Sequence, residues 1–235
     1  MIDRDHMNSA MNILPCGDSA VSLRFREEIS PETHALVMAY MAAIEKAGLP
    51  GFIECVPSYC ALMLIYDPME TSFDEICAAV RALDISASSI EASGETIVLP
   101  VCYGNEFGPD LSAVAAHAGL GEEEVIALHS SVDYPIYMLG FTPGFPYLGG
   151  MDARLATPRL KAPRTRVEAG SVGIAGAQTG VYPVASPGGW QIIGRTPARL
   201  YDPARREPFL LRAGQRLRFS PISAEEFARL SGGGK

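Results

Sequence analysis

Arg164 and Arg166 stand directly ahead of Val167-Glu168-Ala169-Gly170-Ser171, where a long uncharged stretch opens. Guanidinium groups make planar, two-pronged hydrogen bonds to carboxylates and phosphates, so arginines at the edge of such a stretch are candidates for holding an anionic substrate. They close a cationic run, Arg154, Arg159, Lys161, Arg164 and Arg166, that contains no acid. The first three of that run read as solvated surface.

Inside the stretch lies Gln178-Thr179-Gly180-Val181-Tyr182. A buried amide without a partner costs about 1–3 kcal/mol, so Gln178 either meets a ligand amide or satisfies a turn. Trp190, the only tryptophan, ends Ser186-Pro187-Gly188-Gly189-Trp190. It fills a core, or it forms a wall against which a ligand lies while the two glycines let the backbone approach. His129 ends an expected helix, where the dipole favours the protonated imidazole. Its two readings are a structural helix end and a general acid or base.

These residues belong to one unusual region. Residues 139–197 hold 11 of the 23 glycines, and they include Gly140-Phe141-Thr142-Pro143-Gly144-Phe145-Pro146-Tyr147-Leu148 and Gly194-Arg195-Thr196. Glycine and proline weaken strands and helices, so such density fits loops around a ligand, the alternative being the turns of a small barrel. The glycines at 170, 173 and 176 have the wrong spacing for a dinucleotide fingerprint, and there is neither a phosphate-binding G-x-x-x-x-G-K-[ST] loop nor a G-x-S-x-G nucleophile turn.

The elements that must position this region are legible from pattern. Ala20–Arg26 alternates as a strand; Ser30-Pro31-Glu32 opens a helix with Leu36, Val37, Tyr40, Met41 and Ile44 on one face, stopped by Gly48. Phe52–Val56 and Ala61–Tyr66 read as strands, Ser72-x-x-Glu75 as a capping box opening a second helix, and Thr96–Val101 as a last strand. The order β-α-β-β-α-β predicts a ferredoxin-like α/β sandwich over residues 1–92. The Ser-rich segment Ser86–Gly94 is the expected linker. Residues 93–235 then carry two short helices, Pro109–Ala118 and Glu122–Ser130, followed by an all-β barrel.

Residues 1–130 hold 20 acids and 5 Lys/Arg (−15), and residues 131–235 hold 7 acids and 14 Lys/Arg (+7), which sum to the net −8. The positive half contains the glycine-rich region, which favours an anionic ligand or an acidic protein face; attraction between the halves is the simpler cause. Nucleic acid is disfavoured by the acidic whole and the lack of a binding motif. Five cysteines without a C-x-x-C pair read as buried free thiols, and four histidines without ligand spacing argue against a metal. No apolar run is long enough for a membrane span, and the polar start, Met1-Ile2-Asp3-Arg4, does not resemble a signal peptide, so a cytoplasmic protein is expected.

The blocks from Gly140 to Leu148, Pro163-Arg164, Gly170-Ser171-Val172, Gln178 to Pro183, Ser186 to Trp190 and Gly194-Arg195-Thr196 closely resemble the allophanate hydrolase subunit 1 family, also called the KipI or PxpB family. The resemblance also takes in Gly108-Pro109-Asp110-Leu111 and His129. It implies an N-terminal α/β domain, a C-terminal cyclophilin-like β-barrel, and two partners: a homologous-barrel subunit 2 (PxpC type) and a hydantoinase-like PxpA-type subunit. Such assemblies are bacterial 5-oxoprolinases, which open 5-oxo-L-proline to L-glutamate with ATP hydrolysis. Other family roles are inhibition of a sensor histidine kinase and a part in urea carboxylase or allophanate hydrolase chemistry.

On that resemblance His129, Arg164 and Gln178 are the expected catalytic residues. Pro143, Gly144, Phe145, Arg166, Tyr182, Ser186, Pro187, Gly188, Gly189, Trp190 and Arg195 are the expected substrate contacts, and ATP binds this chain or is shared with its partners. The small-residue loops are expected to form a positive pocket that a neighbouring chain completes.

Overall fold

The computed structural model describes residues 11–26, 29–85 and 95–232, and the chain divides into two compact units, Met1–Ser93 and Gly94–Lys235. The expected linker and the polar start of the chain lie outside the described residues.

In the first unit, helix α1 (Pro31–Ala47) begins where Ser30 accepts a hydrogen bond from the Thr33 amide and ends at Gly48 in the left-handed conformation. Helix α2 (Phe73–Ala82) opens with the reciprocal capping box of Ser72 and Glu75. Val37, Tyr40 and Ile44 of α1 and Ile76 and Val80 of α2 share one core with Val21, Leu23, Leu62 and Leu64 from the sheet. That sheet has four antiparallel strands in the order β1 (Asn12–Pro15), β2 (Ala20–Arg24), β4 (Ala61–Tyr66), β3 (Phe52–Pro57).

The expected β-α-β-β-α-β order needs correction. The strand beginning at Thr96 does not complete this sheet; β1 does, with Ile13 opposite Leu23. The strand β5 (Thr96–Tyr103) lies instead at the centre of the second unit, because its Leu99 and Val101 are buried in that unit's core. Four residues containing one buried isoleucine and ending in proline carry too little pattern to be read as a strand in advance.

The second unit is a nearly closed barrel. One sheet runs β10 (Gln178–Val181), β9 (Ser171–Ala175), β12 (Gln191–Arg195), β5, β13 (Arg216–Pro221), β6 (Asp133–Leu139), β7 (Pro146–Leu148), and its two edge strands, β10 and β7, lie against each other. β8 (Arg164–Val167) and β11 (Ser186–Gly188) form a separate two-stranded ribbon. β5 and β13 pair in parallel, Leu99 opposite Phe219. Helices α3 (Leu111–Ala118) and α4 (Glu122–Ser130) pack on each other and against β12 and β13 respectively. A last helix, α5 (Ala224–Gly232), follows β13, where the sequence pattern predicts only barrel strands.

Cysteine placement also differs from expectation: Cys77 and Cys102 are buried, Cys55 and Cys60 half-buried, and Cys16 exposed. All five are free. Burial pushes the Cys55 thiol up to about 12, so it stays protonated.

Candidate functional site

The turn between β6 and β7 is drawn tight by its own backbone. The Gly140 amide donates to the Phe145 carbonyl (3.0 Å), and the Phe145 amide to that of Thr142 (3.1 Å). Two residues are bent into positive φ, Gly144 at +85° and Phe141 at +66°. For glycine that conformation is free, but for a phenylalanine it is a strained backbone. Phe141 is also 71% exposed, so no burial energy of its own ring accounts for the strain.

Behind Phe141 the turn delivers Phe145 into a cluster of rings. Phe145 meets Tyr147, Tyr182 and Trp190 edge-to-face at centroid distances of 5.2, 5.5 and 5.4 Å, and Phe141 at 5.8 Å. Close approach depends on missing side chains. A Cβ on Gly180 would lie 2.8 Å from the Phe145 ring, and one on Gly188 2.3 Å from the Tyr182 hydroxyl oxygen. Part of the glycine density in this region therefore serves aromatic packing.

The rings bound a cavity of about 150 Å³ lined by Phe141, Phe145, Tyr147, Arg159, Tyr182, Gly188, Gly189 and Trp190. At ~30 Å³ for one liquid water, this is room for a single small ring. Burial raises the Tyr182 pKa, which keeps the phenol protonated at neutral pH. Two hydroxyls on segments framing the pocket, Thr142 in the turn and Ser186 on β11, are buried with no hydrogen-bond partner among the described residues.

The cation of the pocket is Arg159, which the sequence alone assigns to solvated surface. Its guanidinium carbon lies 6.0 Å from the centroid of the Trp190 ring, within reach of a cation–π attraction. Two bonds hold this segment in place: the Leu160 amide donates to the Gly189 carbonyl (2.7 Å), and Gln191 Nε2 to the Pro158 carbonyl (3.0 Å). No local pattern announces bonds between positions so far apart in the chain.

Arg164, the expected catalytic arginine, is committed elsewhere. It donates to Asp110 Oδ1 (2.7 Å) and to the Trp190 carbonyl (3.3 Å), while Asp110 Oδ2 accepts from the Ile192 amide (2.6 Å). It braces the strand behind Trp190 and does not line the aromatic pocket. Arg166 is exposed and paired with Glu168 at 2.6 Å. A second small cavity, of about 200 Å³, brings together Arg164, Arg166 and Arg195 with Glu106 and Glu168. Of the expected site residues, Phe145, Tyr182, Gly188, Gly189 and Trp190 line the first cavity and Arg164, Arg166 and Arg195 the second.

His129 needs the clearest correction. It is fully buried, stacked on Phe219 at 4.5 Å, and both ring nitrogens are bonded: Nδ1 to the Tyr103 hydroxyl and Nε2 to Thr179 Oγ1, each at 2.8 Å. Thr179 donates its own proton to the Gly173 carbonyl (3.1 Å), so it accepts from His129, and Nε2 carries the hydrogen. Nδ1 then accepts from Tyr103. Desolvation pushes the His129 pKa down to about 3, overriding the helix-end dipole that favours a protonated ring. The imidazole is a neutral link between α4, β5 and β10, away from the pocket.

Gln178 opens β10 opposite Ala175 and lines none of the cavities described here. Pro143 and Pro187 are exposed on turn and ribbon, Gly144 sits beside Phe209 and Tyr201, and Ser186 pairs with Val167.

The family model described as carboxyltransferase domain, subdomain C and D, matches residues 11–211. The chain is 47% identical over 223 residues to the 5-oxoprolinase B subunit of Bacillus subtilis (strain 168), covering 90% of this chain and 92% of that protein. It is 44% identical to the 5-oxoprolinase B subunit of Escherichia coli O157:H7, covering 87% and 93%. The solved structure of TTHA0988 superposes with a TM-score of 0.78 at 40% identity; it covers 87% of this chain, which spans 40% of that longer one.

Proposed function

The chain belongs to the family of the carboxyltransferase domain, subdomain C and D, and we propose that it works as the PxpB-type component of a 5-oxoprolinase. The carrying observation is its likeness, over about nine-tenths of its length, to two bacterial 5-oxoprolinase components. In this reading the assembly opens the lactam of 5-oxo-L-proline to L-glutamate with ATP hydrolysis. The partners are a subunit of the PxpC type and a hydantoinase-like subunit of the PxpA type, and the barrel is of the cyclophilin-like kind.

The aromatic pocket has the chemistry that this substrate requires. 5-Oxo-L-proline is a small, nearly flat five-membered lactam ring that carries one carboxylate. Phe145, Tyr182 and Trp190 supply faces and edges for the ring, and Arg159 supplies the counter-charge for the carboxylate. The backbone at Gly188 and Gly189 lines the pocket, where the lactam amide would lie. Arg164 acts from behind, through its bond to the Trp190 carbonyl.

Unstrained lactams resist water, and phosphorylation of the lactam oxygen by ATP would make the ring carbon electrophilic. The described residues that line the pocket include no His, Asp, Glu, Lys or Cys. Here they bind and orient the ring and exclude water around it, and the groups that move protons in the hydrolysis come from a partner. This division of labour is what a non-autonomous subunit requires.

The test is reconstitution. Glutamate release from 5-oxo-L-proline and ATP is measured with the two partner subunits, with and without this chain. Release that depends on this chain, and falls when Trp190→Ala replaces it, is the expected result. Equal release by the partners alone would refute the assignment.

A further inference from the structure

A cavity of the barrel unit, about 640 Å³, lies apart from the aromatic pocket and is used by nothing proposed above. One side is the end of β12 and the loop after it, with Arg195 and Arg199; another is Gly170 with Ala185, and Phe227 of α5 and Tyr201 supply apolar cover. Among the described residues its lining contains two arginines and no carboxylate. That volume falls in the range of small-molecule sites, which span ~300–1,000 Å³.

Arg195 is prepared for an anion. Its Nε donates to the Ala169 carbonyl at 3.0 Å, which fixes the plane of the guanidinium in the wall. Among the described residues no further hydrogen bond engages its two terminal nitrogens. The carboxylates nearby are already committed, Glu168 to Arg166 at 2.6 Å and Asp202 to Arg199 and Arg205 at 3.0 and 3.3 Å. Asp202 thus pairs with Arg199, and Glu106 lines the smaller cavity with Arg195, so the open charge at the cleft is that of the Arg195 terminal nitrogens. A planar cation held before its ligand arrives loses less freedom on binding than a mobile one.

We infer that this cleft is a second ligand site, which binds a multiply charged oxyanion (a phosphoanhydride or a polycarboxylate) on Arg195 and Arg199. Its apolar part lies against Tyr201 and Phe227. The site is independent of the lactam pocket and holds whether or not that pocket is correctly assigned.

Isothermal titration of the full chain with inorganic pyrophosphate, and separately with citrate, tests this and tells the two chemistries apart. Saturable binding of either at low ionic strength is expected, weakened as salt screens the charges. Arg195→Gln is expected to weaken it about tenfold or more, as losing a charge-assisted pair does. Because Arg195 also braces a backbone carbonyl, Ala185→Trp serves as a second variant: Ala185 is exposed on the cleft wall, and filling the cavity there should abolish binding with every charge retained. Absence of saturable binding by both probes overturns the site. So does binding that survives Ala185→Trp, or a well-folded Arg195→Gln protein with unchanged affinity.

Discussion

A methyl group on Gly188 would sit 2.3 Å from the hydroxyl oxygen of Tyr182 and 2.8 Å from its Cζ, closer than any real contact. Tyr182 has nowhere simple to go, since Phe145 and Trp190 stand edge-to-face against it. Gly188→Ala should therefore displace the tyrosine and cost about 1–3 kcal/mol of stability, the usual range for overpacking. Chemical denaturation measures the cost, and near-ultraviolet circular dichroism should report the lost asymmetry around Trp190. An unchanged aromatic signal would show that the ring cluster is not held by this contact.

Arg159 separates ring packing from charge recognition. Arg159→Gln should leave the fold intact, because the side chain is exposed. In the reconstituted enzyme it should raise KM for 5-oxo-L-proline about tenfold or more, since a charged hydrogen bond is worth ~1.5–3 kcal/mol. Arg159→Lys should recover only part of that, because an ammonium is a point charge without the planar fork. Steady-state kinetics on the three proteins decide it.

The acid response follows from His129. Its folded pKa, about 3, lies below the ordinary 6.5. The unfolded chain therefore takes up a proton that the folded chain refuses. The contribution is fully present above pH 6.5 and is lost as the pH falls towards 3, at about 1.4 kcal/mol per unit. Urea unfolding at about pH 7 and about pH 4.5 should show this loss for the native chain. His129→Gln, which cannot titrate, should be less stable at neutral pH but flatter with pH. A His129 ring that titrates near its ordinary pKa by NMR would contradict the neutral link.

Asp110 holds two elements with one carboxylate, the Arg164 guanidinium and the Ile192 amide. Asp110→Ala should leave both donors without their partner and cost about 1–3 kcal/mol. In a unit of this size that lowers Tm by ~2–4 °C for each kcal/mol, which calorimetry resolves. Arg164→Met should cost less, because Asp110 keeps the Ile192 amide.

Elements with a local signature are legible in the sequence. Ser30 and Gly48 bound α1 as expected, Ser72 with Glu75 caps α2, and Glu122–Ser130 forms the helix that its acidic first turn announces. The aromatic cluster is legible too, because Phe145, Tyr182 and Trp190 stand out among glycines and do come together. What escapes the sequence depends on distant pairing. Arg159 resembles surface and is exposed; what its own segment does not show is that Gln191 and Gly189 hold it beside Trp190. Arg164 resembles a ligand residue because its partner, Asp110, stands 54 positions away. His129 resembles a proton carrier because a helix terminus is visible in sequence and burial under Phe219 is not.

The parallel partnership of β5 and β13 has a consequence for biosynthesis. β13 lies between β5 and β6 in the middle of the sheet, yet it is the last strand of the barrel to leave the ribosome. Until it arrives, the strands already made can form only two half-sheets, each with an unprotected inner edge where the last strand will insert. The nascent barrel therefore stays exposed to wrong edge-to-edge pairing through most of its synthesis, and it closes from the centre outward in one late step.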